Sequence, residues 1–181
     1  VGARNPAASN QYRDEQATGL SEVPYQITLT VTDDDGGSTA ASTLALVRNV
    51  GPTVLFVRQP EMIDEHGTAE LLFAFADPGF PDEHTVTIDW GDGTVDVIPL
   101  VVGTRERLFT HQYLDDDPTG TLQDVYDINI NIADDDGAEI DSATSVLVKN
   151  VAPTNLVIEP IADIDENGTA VLNLSFDDPG T

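Results

Sequence analysis

A twelve-residue pattern that occurs twice constrains the fold of this chain more than any other feature. Residues 25–36 and residues 126–137 both alternate apolar and polar side chains and then end in three aspartates and a glycine. A period of two places the apolar side chains on one face of a β-strand and the polar ones on the other. Asp-Gly is favoured where two strands turn back on each other, because glycine accepts a positive φ. Each copy is therefore predicted to be a half-buried strand that enters an acidic hairpin.

The spacing of 101 residues between these copies runs through the whole chain. It relates residues 11–12 to 112–113, 49–53 to 150–154, 64–69 to 165–170 and 77–79 to 178–180. A period of this length is too long for a solenoid unit and suits one small β domain per repeat.

A boundary between repeats is predicted at the Asn-Val-x-Pro-Thr segment, because proline lacks the N–H that a strand ladder needs. We therefore expect the C-terminal part of one repeat at 1–52, a complete repeat at 53–153 and the N-terminal part of a third at 154–181. The chain begins with valine, and we expect it to be a piece of a longer product.

Alternation and turn residues within 53–153 predict seven strands and no helix. The strands are expected near 54–59, 68–76, 84–90, 95–101, 106–113, 125–133 and 138–149. Their inward-facing side chains are predicted to be Leu71, Phe73, Phe75, Val86, Ile88, Trp90, Tyr126, Ile128, Ile130 and Ile132. Short strands at this density predict an all-β fold, an antiparallel β-sandwich repeated in tandem.

The composition excludes several classes of partner and site. The chain carries 33 acidic and 7 basic side chains, a formal charge of −26, so nucleic acid and anionic lipid are unsuitable partners. It has no cysteine, which removes disulfides, thiolate ligands and thiol nucleophiles. No apolar run is long enough to cross a membrane, so we expect no membrane insertion in this segment.

Three segments of the complete repeat resemble the polycystic kidney disease (PKD) domain. They are the Trp-Gly-Asp-Gly turn in 86–94, His111-Gln112-Tyr113, and the strand and acidic hairpin of 126–137. Three features depart from that pattern: Trp90 directly precedes Gly91, the loop at 114–124 is long and acidic, and Asn10 stands at the position of His111 in the first copy. The resemblance implies an immunoglobulin-like β-sandwich of the kind found in tandem arrays in large secreted or surface-anchored prokaryotic proteins, as stalks, spacers and adhesive modules.

The acidic loops are the only chemical feature that the sequence offers. With strands that alternate in direction, loops 77–83 and 134–137 fall at one end of the complete repeat, and loops 61–67, 91–94 and 114–124 at the other. The first junction between repeats is predicted to gather Asp14, Glu15, Asn49, Asp77, Asp134, Asp135 and Asp136. The second is predicted to gather Asp64, Glu65, Asp115, Asp116, Asp117, Asp177 and Asp178.

Such crowded carboxylates repel one another, and a hard cation with 6–8 oxygen ligands reverses that repulsion. Flexible loops with several carboxylates favour Ca²⁺ over Mg²⁺, which demands an octahedron. The alternative is that these residues are solvated turn residues that keep the ends of the sheets soluble. No EF-hand spacing is present, so the calcium hypothesis depends on local density alone.

We interpret the chain as a non-catalytic segment of an extracellular or cell-surface protein, with calcium-stiffened junctions. Its expected partners are neighbouring repeats or identical subunits arranged head to tail, or else a glycan or a cell-surface protein. The competing hypothesis is a carbohydrate-binding accessory module of a secreted hydrolase, which needs exposed aromatic side chains. The alternation of Val86, Ile88 and Trp90 instead predicts that Trp90 points inward.

Overall fold

The computed structural model describes residues 6–13, 19–79, 81–117 and 119–180, and every regular element in these ranges is a β-strand. The strands are β1 (Glu22–Thr32), β2 (Ser38–Arg48), β3 (Thr53–Arg58), β4 (Ile63–Asp64), β5 (Thr68–Ala76), β6 (His84–Asp89), β7 (Val95–Pro99), β8 (Glu106–Gln112), β9 (Gln123–Asp134), β10 (Glu139–Lys149), β11 (Thr154–Ile158) and β12 (Leu174–Asp177). None of the described residues belongs to a helix that is long and apolar enough to span a bilayer.

Residues 53–149 form two sheets around one core. The first sheet has the order β3-β5-β8 and the second the order β4-β10-β9-β6-β7. All neighbouring strands are antiparallel except β4, which pairs in parallel with β10. The sequence did not predict β4, because a strand of two residues is too short to show alternation.

Both sheets contribute side chains to a single buried apolar cluster. All ten side chains that alternation predicted to face inward are buried, which confirms that prediction. Trp90 is fully buried, its Nε1 donates a hydrogen bond to Asp96 Oδ2 at 2.9 Å, and the Tyr113 hydroxyl donates to the Trp90 carbonyl at 2.8 Å. These bonds satisfy the polar atoms that the two aromatic residues bring into the core.

The hairpin β1-β2 repeats the geometry of β9-β10 at the spacing of 101 residues. Gly36 and Gly137 have φ of 88° and 91°. Asp33 N donates to Gly37 O at 2.9 Å, as Asp134 N does to Ala138 O at the same distance. The same local sequence therefore folds into the same turn twice.

The two hairpins differ in what covers their apolar faces. Ile27, Leu29 and Val31 are 41%, 61% and 57% exposed, whereas their counterparts in β9, Ile128, Ile130 and Ile132, are buried. The two-stranded sheet β11-β12 likewise exposes Leu156, Leu174 and Phe176. Within the described residues, only 53–149 encloses its core.

Candidate metal centres

Five aspartates lie together at one end of the two-sheet unit, which we call the proximal end because the 49–52 linker reaches it. The antiparallel pairing of β6 with β9 places His84 opposite Asp134, so the loop before β6 meets the hairpin after β9. One carboxylate oxygen from each of Asp77, Asp82 and Asp134 lies within 4.8 Å of the others. The same holds for Asp82, Asp135 and Asp136.

Asp134 is held by protein donors. Its Oδ1 accepts hydrogen bonds from the Asp136 and Ala138 amides at 3.1 and 2.8 Å, which fixes the hairpin. Its Oδ2 accepts from Asn49 Nδ2 at 2.8 Å, so this carboxylate also ties the linker to the proximal end.

Asp77 is also engaged by groups of the protein. Its Oδ1 accepts from the Gly79 amide at 2.8 Å, and its Oδ2 lies 3.0 Å from His84 Nε2. His84 is buried against the Phe75 ring, with 4.9 Å between the ring centroids. Asp77 therefore has a structural partner that does not depend on a cation.

Asp136 lacks such partners at both of its carboxylate oxygens. Its side chain is 5% exposed, and neither Oδ1 nor Oδ2 has a hydrogen-bond partner. Burying a charged group without compensation is unfavourable, and buried polar atoms in folded proteins are nearly always paired. The Asp82, Asp135 and Asp136 group is therefore the strongest candidate at this end for a cation site.

A second cluster lies at the opposite, distal end, where Glu65, Asp115 and Asp116 each place one carboxylate oxygen within 4.8 Å of the others. The β4-β10 and β5-β8 pairings bring the loop after β4 beside the loop after β8. Glu65 is 4% exposed, and its Oε1 accepts from the Val151 amide at 2.7 Å. Asp116 is 8% exposed, and its Oδ2 has no hydrogen-bond partner.

The electrostatics of the distal end reflect the accumulation of negative charge. Burial, together with repulsion from Asp115 and Asp124, raises the pKa of Asp116. Burial, followed by repulsion from Asp115, raises the pKa of Tyr126 to about 12. A bound cation would lower both pKa values, because it stabilises the charged forms.

A neighbouring turn at the distal end carries a different arrangement. Thr94 donates to Asp92 Oδ1 at 2.6 Å from its hydroxyl, and His111 Nε2 lies 2.7 Å from Asp92 Oδ2. Partial burial raises the pKa of Asp92, but the hydrogen bonds from Thr94 and His111 outweigh it and leave the pKa below 3.8. His111 also stacks on Trp90, with ring centroids 4.8 Å apart. These contacts stabilise the turn and connect it, through His111, to the buried ring of Trp90.

The structure brings together part of each predicted ligand set. At the proximal end Asp77 and Asp134 fall in one group and Asp135 and Asp136 in the other, and Asn49 contacts Asp134. At the distal end Glu65, Asp115 and Asp116 meet. Three other predicted ligands are exposed and lie outside these groups, namely Asp64, Asp117 and Asp177. The Oδ2 of Asp177 accepts a hydrogen bond from Asn155 Nδ2.

Asp178 is half-buried and lies outside both groups, although Gly180, two residues later, approaches Glu65 so closely that an added Cβ would overlap Oε2. Asp14 and Glu15 fall outside the described residues.

Asp82 belongs to both proximal groups but was not among the ligands predicted from the sequence. It is 2% exposed and lies in the loop that was assigned to this end. Asp82 lies four residues after Pro78 and two residues before β6, but no local feature distinguishes it from a solvated aspartate. Its counterpart lies outside the sequence in both flanking copies, so the repeat pattern did not mark it.

Among solved structures, the chain is similar to the PKD domain of M14-like peptidase from Thermoplasmatales archaeon SCGC AB-540-F20, with 23% sequence identity and a TM-score of 0.41. The match covers 56% of this chain and 98% of that chain. A scan against protein-family models and a search of the curated proteins found no match.

Proposed function

We propose that the chain is a non-catalytic, extracellular segment of tandem PKD-like, immunoglobulin-like β-sandwich repeats, in which calcium stiffens the junctions. The repeats would be 1–52, 53–153 and 154–181, and the role would be structural or adhesive, as part of a stalk, surface layer or filament. Support comes from the spacing of 101 residues and from the matching turns at Gly36 and Gly137. The partners would be neighbouring repeats or identical subunits placed head to tail.

The observation that carries the calcium proposal is the environment of Asp136. Both of its oxygens are buried without a hydrogen-bond partner, and Asp82 and Asp135 converge on the same place. A solvated turn residue would instead be exposed, as Asp35 is at the equivalent position of the first copy. Burial of the charge is therefore the feature that separates a cation site from a solubilising turn.

Calcium suits this group better than magnesium or a transition metal. All of the ligands are oxygen atoms, which hard cations prefer, and irregular loops supply further backbone carbonyls. Ca²⁺ tolerates 6–8 ligands in flexible geometry, whereas Mg²⁺ requires six in a near-ideal octahedron.

A thermal melt in calcium, in magnesium and in chelator tests this function. A cation that binds only the folded state stabilises it by RT ln(1 + [L]/Kd), about 2.7 kcal/mol at a hundredfold excess over Kd. We expect a rise in melting temperature with calcium that magnesium does not reproduce. Equal melts in the three conditions would refute the calcium proposal and leave the acidic loops as solubilising turns.

The carbohydrate-binding hypothesis finds less support in the packing. A sugar-stacking residue must be exposed, whereas Trp90 and Tyr113 are buried in the core. Binding to a glycan array would restore that hypothesis if a surface substitution abolished the binding without changing the calcium-dependent melting.

A further inference from the structure

We infer that a cation bound by Glu65, Asp115 and Asp116 locks the following repeat onto the distal end, and that Glu65 is the residue through which it does so. This inference rests on the proposed function and adds to it the three residues that hold the distal ion and a physical link from that ion to the next repeat.

The first step is the state of Asp116. Its Oδ2 lacks a hydrogen-bond partner while the side chain is more than nine-tenths buried, and oxygens of Glu65 and Asp115 lie within 4.8 Å. Three converging carboxylates with an unsatisfied buried oxygen form a site that a hard cation satisfies.

The second step is the position of Glu65 between the complete repeat and the next one. Its main-chain N–H donates to Lys149 O at 2.8 Å, which anchors the residue to β10. Its Oε1 accepts from the Val151 amide, in the linker, at 2.7 Å. Its Oε2 borders Gly180, where an added Cβ would overlap that oxygen. A cation that fixes this carboxylate therefore fixes the linker and the 178–180 turn together.

The third step concerns independence from the proximal site. Strand β9 runs from the distal to the proximal end and has 12 residues. At a rise of about 3.3 Å per residue it spans roughly 40 Å, several times the Debye length of about 8 Å at physiological salt. The two sites should therefore fill independently, and the chain should bind two calcium ions.

The experiment is a calorimetric titration of the full chain with calcium chloride, together with amide exchange of Val151 measured by NMR. We expect two ions in the unaltered chain and slower exchange of the Val151 amide when calcium is present. Glu65→Gln keeps an oxygen that accepts the Val151 hydrogen bond but removes the charge. It should lose one ion and the effect of calcium on Val151.

Three other variants complete the design. Asp136→Asn should lose the other ion and keep the calcium effect on Val151. Glu166→Gln, the exposed counterpart of Glu65, should behave as the unaltered chain. Asp116→Asn should reproduce the loss seen with Glu65→Gln and serves as the test if that variant fails to fold.

The outcomes separate this inference from the proposed function. If calcium binds at the proximal end only, and Glu65→Gln changes neither stoichiometry nor Val151 exchange, the inference is wrong and the proposed function stands. Two bound ions with Val151 exchange insensitive to calcium would also overturn it, since the ion would not act on the linker. If the chain binds no calcium, both fail.

Discussion

The substitution Asp136→Asn should stabilise the chain in chelator and remove the part of its stabilisation by calcium that comes from the proximal site. Without a cation, the Asp136 carboxylate repels Asp82 and Asp135, whose oxygens lie within 4.8 Å. Coulomb's law at that distance gives about 1 kcal/mol per pair at the dielectric constant of water and about 3.5 kcal/mol at an effective value of 20. Since Asp135 is less buried than Asp136, we expect a net gain of about 1–3 kcal/mol on removal of the charge.

The assay is a thermal melt of both proteins with excess chelator and with calcium. A change of 1 kcal/mol shifts the melting temperature of a domain of 60–100 residues by roughly 4–8 °C. The unaltered chain should therefore melt higher with calcium than with chelator. The Asp136→Asn variant should melt above the unaltered chain in chelator, and its rise in melting temperature with calcium should be smaller than that of the unaltered chain.

Asp35→Asn provides the matched control, because Asp35 occupies the same place in the first copy of the hairpin and is exposed. It should leave both melts of the chain unchanged. A variant at Asp136 that melts below the unaltered chain in chelator would refute the reasoning, because Asp136 would then be making a favourable interaction without calcium. A calcium-dependent rise as large in the variant as in the unaltered chain would refute it as well.

Three further predictions concern the fold itself. Gly91 and Gly93 both have positive φ, but only at Gly91 does an added Cβ meet a backbone oxygen, at 2.5 Å. Gly93→Ala should lower the free energy of unfolding in urea by about 1–2 kcal/mol, and Gly91→Ala should lower it by more. Ile130→Ala should cost about 2–5 kcal/mol, whereas Leu29→Ala, at its exposed counterpart, should change stability by less than about 0.5 kcal/mol. Because the folded state lowers the pKa of Asp92, the contribution of this carboxylate to stability is present above pH 3.8 and is lost as the pH falls through the lowered value. Asp92→Asn should therefore reduce the dependence of the urea unfolding midpoint on pH in this acidic range.

The core could be predicted from the sequence because its signal is local. Alternation along β9 identified Ile128, Ile130 and Ile132, and all three are buried. A residue in a strand faces either the core or solvent, so a period of two is enough to assign it once one face is apolar. The same argument placed Trp90 inside the fold.

The candidate site could be predicted only in part, because it depends on contacts between loops that are distant in sequence. Acidic loops could be assigned to ends of the fold from strand direction, which brought Asp134 near Asp77. Sequence could not show that His84 would engage Asp77 while Asp136 would lie buried without a partner. Nor could it select Asp82, since nothing local separates an aspartate that turns inward from one that is solvated.

The most direct test of the calcium proposal is diffraction from crystals of the chain grown in millimolar calcium, with anomalous differences measured at a wavelength where calcium scatters anomalously. We expect a peak beside Asp136 at the proximal end, and a second beside Asp116 where Glu65, Asp115 and Asp116 hold the distal ion. A well-ordered proximal end with no peak beside Asp136 would contradict the central claim that these buried carboxylates hold an ion.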